Sequence, residues 1–226
     1  MPSEPRCKLC HNPFGGVGGK VVGLFGYRPS RKNPNFCRQC CDTLPPGGIE
    51  MDLAIMFADV RGSTTIAERM TSEEYAALLN RFYLTATRAL IHYDAIIDKL
   101  IGDEVMALFI PGFCGSDYKR RAAEATVDLL KSMGYGSREP MLPIGASVHS
   151  GKAFVGNVGA DDMVDFTALG DAVNTAARLQ GEAKSGEIAM TMGVYESVAD
   201  RYPDSEARTV ALRGKAESTE LRIIRV

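Results

Sequence analysis

The chain has 226 residues, of which 45% are hydrophobic and 24% charged, with a formal net charge of −2. That balance excludes a disordered, collagenous or coiled-coil chain and allows one sizeable domain with a small appendage. No run approaches the roughly 18 to 20 apolar residues of a membrane span, and Met1-Pro2-Ser3-Glu4-Pro5-Arg6 lacks the apolar stretch of a secretory signal, so a cytoplasmic location and no membrane partner are expected.

Charge is asymmetric about a joint at Leu44-Pro45-Pro46-Gly47-Gly48. In residues 1–50 seven Lys/Arg (6, 8, 20, 28, 31, 32, 38) face three acids (4, 42, 50), a net +4, which leaves −6 on the remainder. Five of the six cysteines also lie here, as Cys7-Lys8-Leu9-Cys10 and Cys37-Arg38-Gln39-Cys40-Cys41. Two CxxC knuckles let four thiolates (Cys7, Cys10, Cys37, Cys40) converge on a structural Zn²⁺, a closure that can fold a segment too small for an oily core. This Gly-rich segment offers only Val21, Val22, Leu24, Phe25 and Phe36 for burial. Disulfides suit secreted chains; an iron–sulfur cluster, redox thiols, or ligation by Cys41 or His11 remain alternatives. Dispersed basic residues are read as a solvated face, with nucleic acid not expected as a partner. Residues 1–45 are therefore a Cys-rich zinc-binding module.

From 51 to 226 the pattern becomes strands alternating with helices. A β-type run at Leu53 to Val60 is followed by the capping box Thr71-Ser72-Glu73-Glu74. That box opens a helix whose apolar face is Tyr75, Leu78, Leu79, Phe82, Ala86, Ala89, Leu90 and Tyr93. Ala95 to Ile101 and Glu104 to Ile110 form a hairpin at Gly102-Asp103. A helix over Asp117 to Met133 ends at Gly134, and strands at Ile144 to His149 and Ala153 to Val158 follow. The order β-α-β-β-α-β predicts an α+β fold: a ferredoxin-like antiparallel palm with helices on one face, here with a C-terminal extension.

Three stretches carry chemistry. In Phe57-Ala58-Asp59-Val60-Arg61-Gly62-Ser63-Thr64-Thr65 an acid ends a strand and a small-residue turn opens a helix, so that Gly62, Ser63, Thr64 and Thr65 can cradle phosphates while Asp59 holds a cation. Asp103, at the hairpin tip after Lys99, can meet Asp59; oxygen-only ligation suits Mg²⁺ or Mn²⁺ carrying a nucleoside triphosphate. Alone, each is an ordinary strand-end or turn acid. In Asp165-Phe166-Thr167-Ala168-Leu169-Gly170-Asp171, Asp171 is the expected N-cap of a helix that projects Asn174 and Arg178, four apart, from one face.

Taken in order, "FADVRGST", "DKLIGDEVMALF", "VHSGKAFVGNVG" and "DFTALGDAVNTAARL" resemble the catalytic domain of the class III adenylate and guanylate (nucleotidyl) cyclases, from about Leu53 to the C-terminus. The resemblance implies Asp59 and Asp103, with the Val60 carbonyl, as ligands of two Mg²⁺ or Mn²⁺ per site, and Lys99 and Thr167 as the base-reading pair. It also implies Asn174 as the residue orienting the ribose, Arg178 as the one stabilising charge on the α-phosphate, and a homodimer whose sites draw on both subunits. The implied reaction is ATP to 3′,5′-cyclic AMP and pyrophosphate. Thr167 departs from the Asp of many adenylate-specific members and matches a bacterial subgroup that is often bicarbonate-responsive. Guanylate or pyrimidine nucleotide cyclisation, the latter in phage defence, therefore stays open, as does an inert cyclase-like dimer beside a binding module. The triphosphate-binding lysine is the second departure: Thr219 stands at its place, with Lys215 or Arg61 as substitutes. His92 and His149 receive no catalytic role.

Overall fold

The computed structural model describes residues 5–30, 33–160, 163–212 and 218–226. The chain divides into two compact units, Met1–Ile49 with Val155–Thr167, and Glu50–Phe154 with Ala168–Val226.

In chain order the elements are α1 (Gly16–Leu24), α2 (Arg38–Thr43), β1 (Gly47–Val60), α3 (Ser63–Ala67), α4 (Ser72–His92), β2 (Ile96–Ile101), β3 (Glu104–Phe109) and α5 (Pro111–Cys114). They continue with α6 (Tyr118–Met133), β4 (Ile144–Ala160), β5 (Met163–Leu169), α7 (Asp171–Gly181), β6 (Glu187–Thr191), α8 (Met192–Tyr195), β7 (Glu206–Val210) and β8 (Thr219–Arg225). The sheet runs β2-β3-β1-β4-β6-β8-β7, with β5 paired to β4. Its β4-β1-β3-β2 portion, with α4 and α6 as the connecting helices, is the ferredoxin-like βαββαβ core.

Local chemistry accounts for the elements that frame this core. Glu74 N–H donates to Thr71 Oγ1 at 3.2 Å and Thr71 N–H donates to Glu74 Oε2 at 2.8 Å, closing the expected capping box of α4. Phe82, Ala86 and Leu90, spaced for one helical face, are buried against the sheet. Gly134, in the left-handed region at φ 116°, terminates α6. Alternation along β1 sends Ala54, Met56, Ala58 and Val60 into the same cluster as the buried faces of α4 and α6.

Three expectations are corrected. The two strands expected on either side of Gly151 are one 17-residue strand, β4, which also places His149 inside a strand and not at its end. Gly151 is not a turn but a close approach: a Cβ there would lie 3.1 Å from Ala172 Cβ in the first turn of α7. The sheet is mixed, because β6 pairs with β4 in parallel, and helices cover both faces: Leu179 of α7 packs with Ala189, Leu221 and Ile223, on the side opposite Ile188, Met190 and Ile224. In the first unit, Phe36 is buried, whereas Val21, Leu24 and Phe25 are exposed. In helix α1 only Gly23 is buried, and a Cβ at Gly19 would stand 2.6 Å from the Phe14 carbonyl carbon.

The C-terminal strands are tied by charge. Glu187, 4% exposed, accepts bonds from Arg208 (3.2 and 3.3 Å), Arg225 (3.1 Å) and the Lys184 N–H (3.0 Å). Burial alone would raise its carboxyl, but the Lys184 N–H and the two guanidinium groups outweigh burial and hold it below the usual 4.5. A depressed carboxyl contributes stability that is complete above its ordinary value and is lost as pH falls through its lowered folded value. Glu187→Gln is therefore expected to cost about 2 kcal/mol at neutral pH by urea unfolding. The gap to the parent chain should shrink as the pH is taken below 4.5.

Candidate active site and metal centre

The cysteine cluster assembles from two turns. Cys7 and Cys10 flank one, and Cys37 caps α2, which carries Cys40. The Cys37 N–H donates to Cys7 Sγ (3.2 Å) and the Cys40 N–H to Cys37 Sγ (3.4 Å), so each knuckle aims backbone dipoles at its sulfurs. All four sulfurs lie within 4.8 Å of one another, and Cys10 and Cys37 are 3.7 Å apart. A tetrahedron with Zn–S bonds of about 2.3 Å has edges of about 3.8 Å. Burial raises the Cys7 thiol, but the N–H groups of Cys10, Cys37 and Leu9 outweigh it and bring Cys7 down to about 7. Burial, followed by the sulfurs of Cys37 and Cys10, pushes Cys40 up. Four thiolates so close need a cation between them, and a soft-ligand set of this shape fits Zn²⁺. Cys41 and His11 stand outside this group.

The acidic centre forms where β1 ends. The β1–β3 register sets Asp59 opposite Glu104, and the Val60 N–H donates to the Asp103 carbonyl at 3.2 Å, which draws the hairpin tip to the strand end. Gly102, at φ 61°, makes that tip possible. Burial raises the Asp59 carboxyl, and the Asp103 charge pushes it the same way; Glu104 is raised by burial and by both aspartates. Three carboxylates repelling one another in a half-buried corner are a donor set for a hard divalent cation. Arg61 supplies the local countercharge, its Nη1 lying 3.5 Å from Asp59 Oδ2. Its guanidinium also donates to the Gln180 carbonyl and occupies the space of an absent side chain at Gly145, where a Cβ would lie 2.4 Å from Arg61 Nε. Arg61 is thus built into the wall, not left free to grip a triphosphate.

Lys99 on β2 is positioned by a neighbour. Adjacent strand residues ordinarily face opposite sides, but the β2–β3 register shifts between Ile97 and Lys99, and Lys99 Nζ reaches Asp98 Oδ1 at 3.1 Å. The Asp98 side chain is completely buried, and its Oδ2 accepts the Ala168 N–H at 3.3 Å. Asp98 therefore anchors both Lys99 and the backbone just after Thr167, which is itself 6% exposed on β5.

Helix α7 opens at Gly170 as N-cap, with Asp171 one position inside, which corrects the expected cap by one residue; a Cβ on Gly170 would stand 3.6 Å from Ala153 Cα. Ala172, Thr175, Ala176 and Leu179 are buried, leaving Asn174 exposed and Arg178 part-exposed on the outer side. After Asp59, Gly62 adopts φ 66° and caps the short α3, so Ser63, Thr64 and Thr65 form its first turn. Thr219 begins β8 and lines a cavity of about 860 Å³ with His149, Ser150, Lys152 and Asp171. Lys215 lies outside the described residues. Sequence reasoning gave Glu104 and Asp98 no role. An acid at an inward strand position was the available signal in each case, but only the register and the β2 irregularity reveal what they face.

Comparison with known proteins agrees with this geometry. The description "Adenylate and Guanylate cyclase catalytic domain" matches residues 50–224. An adenylate cyclase of Anabaena cylindrica is 30% identical over 184 residues, covering 75% of this chain and 36% of that protein. The terminal-differentiation-specific adenylate cyclase of Dictyostelium discoideum is 29% identical over 181 residues, covering 75% of this chain and 8% of that protein. The chain thus spans about a third or less of these relatives. Among solved structures, the adenylyl cyclase CyaB from P. aeruginosa superimposes with a TM-score of 0.68 at 26% identity, covering 79% of this chain and 96% of that one. The guanylyl cyclase Cya2 superimposes at 0.72 with 24% identity, covering 78% and 93%, a likeness of fold. With that match running over residues 50–224, the chain belongs to the class III adenylate and guanylate cyclase catalytic domain family.

Proposed function

We propose that residues 51–226 are a catalytic domain that converts ATP to 3′,5′-cyclic AMP and pyrophosphate at the interface of a homodimer, and that residues 1–45 are a module stapled by Zn²⁺ on Cys7, Cys10, Cys37 and Cys40. The observation that carries the catalytic reading is the convergence of Asp59 and Asp103 at the end of β1, where burial and mutual repulsion raise Asp59. Asp59, Asp103 and the Val60 carbonyl would hold two divalent cations, which would supply acidification of the ribose 3′-hydroxyl and neutralisation of the triphosphate. Gly62 to Thr65 present backbone N–H groups to the phosphates. Arg178 neutralises charge developing on the α-phosphate, Asn174 fixes the ribose, and Lys99 with Thr167 reads the base. No histidine is required as a base. The adenylate cyclases among the relatives favour ATP. The Thr at 167 keeps GTP as the second reading, and Cya2 is a guanylyl cyclase of the same fold.

Purified chain incubated with each of the four ribonucleoside triphosphates and Mn²⁺ should yield cyclic AMP as the main product by mass spectrometry; a different favoured base would overturn the substrate and keep the mechanism. Asp59→Ala and Arg178→Ala should each lower kcat at least about a hundredfold. Mixing these two inactive variants should restore roughly a quarter of parental turnover, because half the dimers carry one intact composite site; no recovery would refute the shared-site dimer. Cys37→Ser should lose the single equivalent of zinc found by elemental analysis, and the 1–49 segment should become sensitive to limited proteolysis.

A further inference from the structure

The first unit joins the thiol cluster to a strand of the sheet. Besides residues 1–49 it contains 155–167, the distal part of the β4–β5 hairpin, and that part ends at Thr167. Phe36, next to the ligand Cys37 and only 1% exposed, meets Phe166 edge to face, with ring centroids 5.8 Å apart and planes at 84°. Phe36 is fixed by its backbone: its N–H donates to Asn33 O (3.0 Å), its carbonyl accepts from the Ser30 N–H (2.8 Å), and the Lys8 N–H of the first knuckle donates to Asn35 O (2.9 Å). Two further contacts hold the hairpin to the same segment. Asn157 Nδ2 donates to the Leu44 and Pro45 carbonyls at 2.7 and 3.3 Å, and Gly156 lies so close to Gly48 that a Cβ on it would stand 2.4 Å from Gly48 Cα.

We propose that the tetrathiolate centre sets base discrimination, with Phe36 and Phe166 as positioning residues that hold Thr167 in place. This rests on the reading that Thr167 contacts the base. Successive strand side chains point to opposite faces, so a clamp on Phe166 holds β5 from the side away from Thr167. The segment around Phe36 has no other large apolar side chain fully buried within residues 5–30 and 33–49, so its order depends on the metal. Discrimination between purines arises from hydrogen bonds left unmade with the wrong base, and a displacement of about 1 Å is enough to blunt them. Loss of the metal or of either ring should therefore act on selectivity more than on kcat.

The test uses the full chain and its Phe36→Leu, Phe166→Leu and Thr167→Ala variants. Three readouts are taken: metal content, the thiolate-to-metal absorption of the Co²⁺-substituted protein, and kcat and KM for ATP and GTP. The leucine variants should keep one metal per chain and the parental Co²⁺ spectrum, hold kcat within about twofold, and change the ATP:GTP ratio of kcat/KM by about fivefold or more. Amide exchange at residues 165–168 should quicken in both. Combining Phe36→Leu with Thr167→Ala should change the ratio no further than Thr167→Ala alone. A ratio and an exchange rate unchanged in both leucine variants, with Thr167→Ala altering the ratio, would overturn the coupling and leave the base-reading role standing. A ratio indifferent to Thr167→Ala would remove that role and the proposal with it. Should Phe36→Leu lose metal, Phe166→Leu, which lies outside the knuckles, decides between these outcomes.

Discussion

The pairing of Asp59 with Glu104 across β1 and β3 sets the register on which the rest of the catalytic unit depends. Strand side chains alternate, so a slip of one residue would carry Ala54, Met56, Ala58 and Val60 away from α4 and α6 and put Leu53, Ile55 and Phe57 in their place. Both sets are buried, and hydrophobicity alone penalises the slip weakly. What distinguishes the registers is volume, small residues toward the helices, together with the hairpin tip that brings Asp103 to the strand end. The correct register costs a corner of mutually repelling carboxylates, whose chemistry suits a hard divalent cation.

The first unit solves folding by another route. Its helix α1 buries only Gly23, and the large apolar residues at 17, 21, 24 and 25 lie outside. A segment built in this way has little burial to set against the entropy of ordering it. A cluster of four thiols stands where an oily core would, and one buried aromatic ring beside Cys37 does the packing. Hairpin and knuckles are then held by few contacts of high directionality: an edge-to-face ring pair, a bifurcated amide and a glycine–glycine crossing.

Much of this was legible in the chain. The capping box, the α4 face, the Gly102 hairpin and the βαββαβ order rest on short-range patterns, and local patterns survive into the fold. The convergence of the four knuckle sulfurs followed from spacing alone. The errors have a common cause in long-range packing. Gly151 reads as a break until Ala172 is seen against it, Val21, Leu24 and Phe25 read as candidates for burial until the structure leaves them exposed, and the mixed sheet depends on which strand β6 joins. Arg61 reads as a free cation until Gly145 and Gln180 enclose it. Asp98 was invisible because its meaning lies in a register shift.

That buried aspartate has a consequence for how such a chain could diversify. Asp98 is sealed from solvent and held by the Lys99 ammonium and the Ala168 amide. Exchanging Lys99 for a neutral residue would remove one of the groups that hold a carboxylate in a low-dielectric interior. The two neighbouring positions are consequently coupled: a change at 99 also changes what the buried carboxylate at 98 is held by.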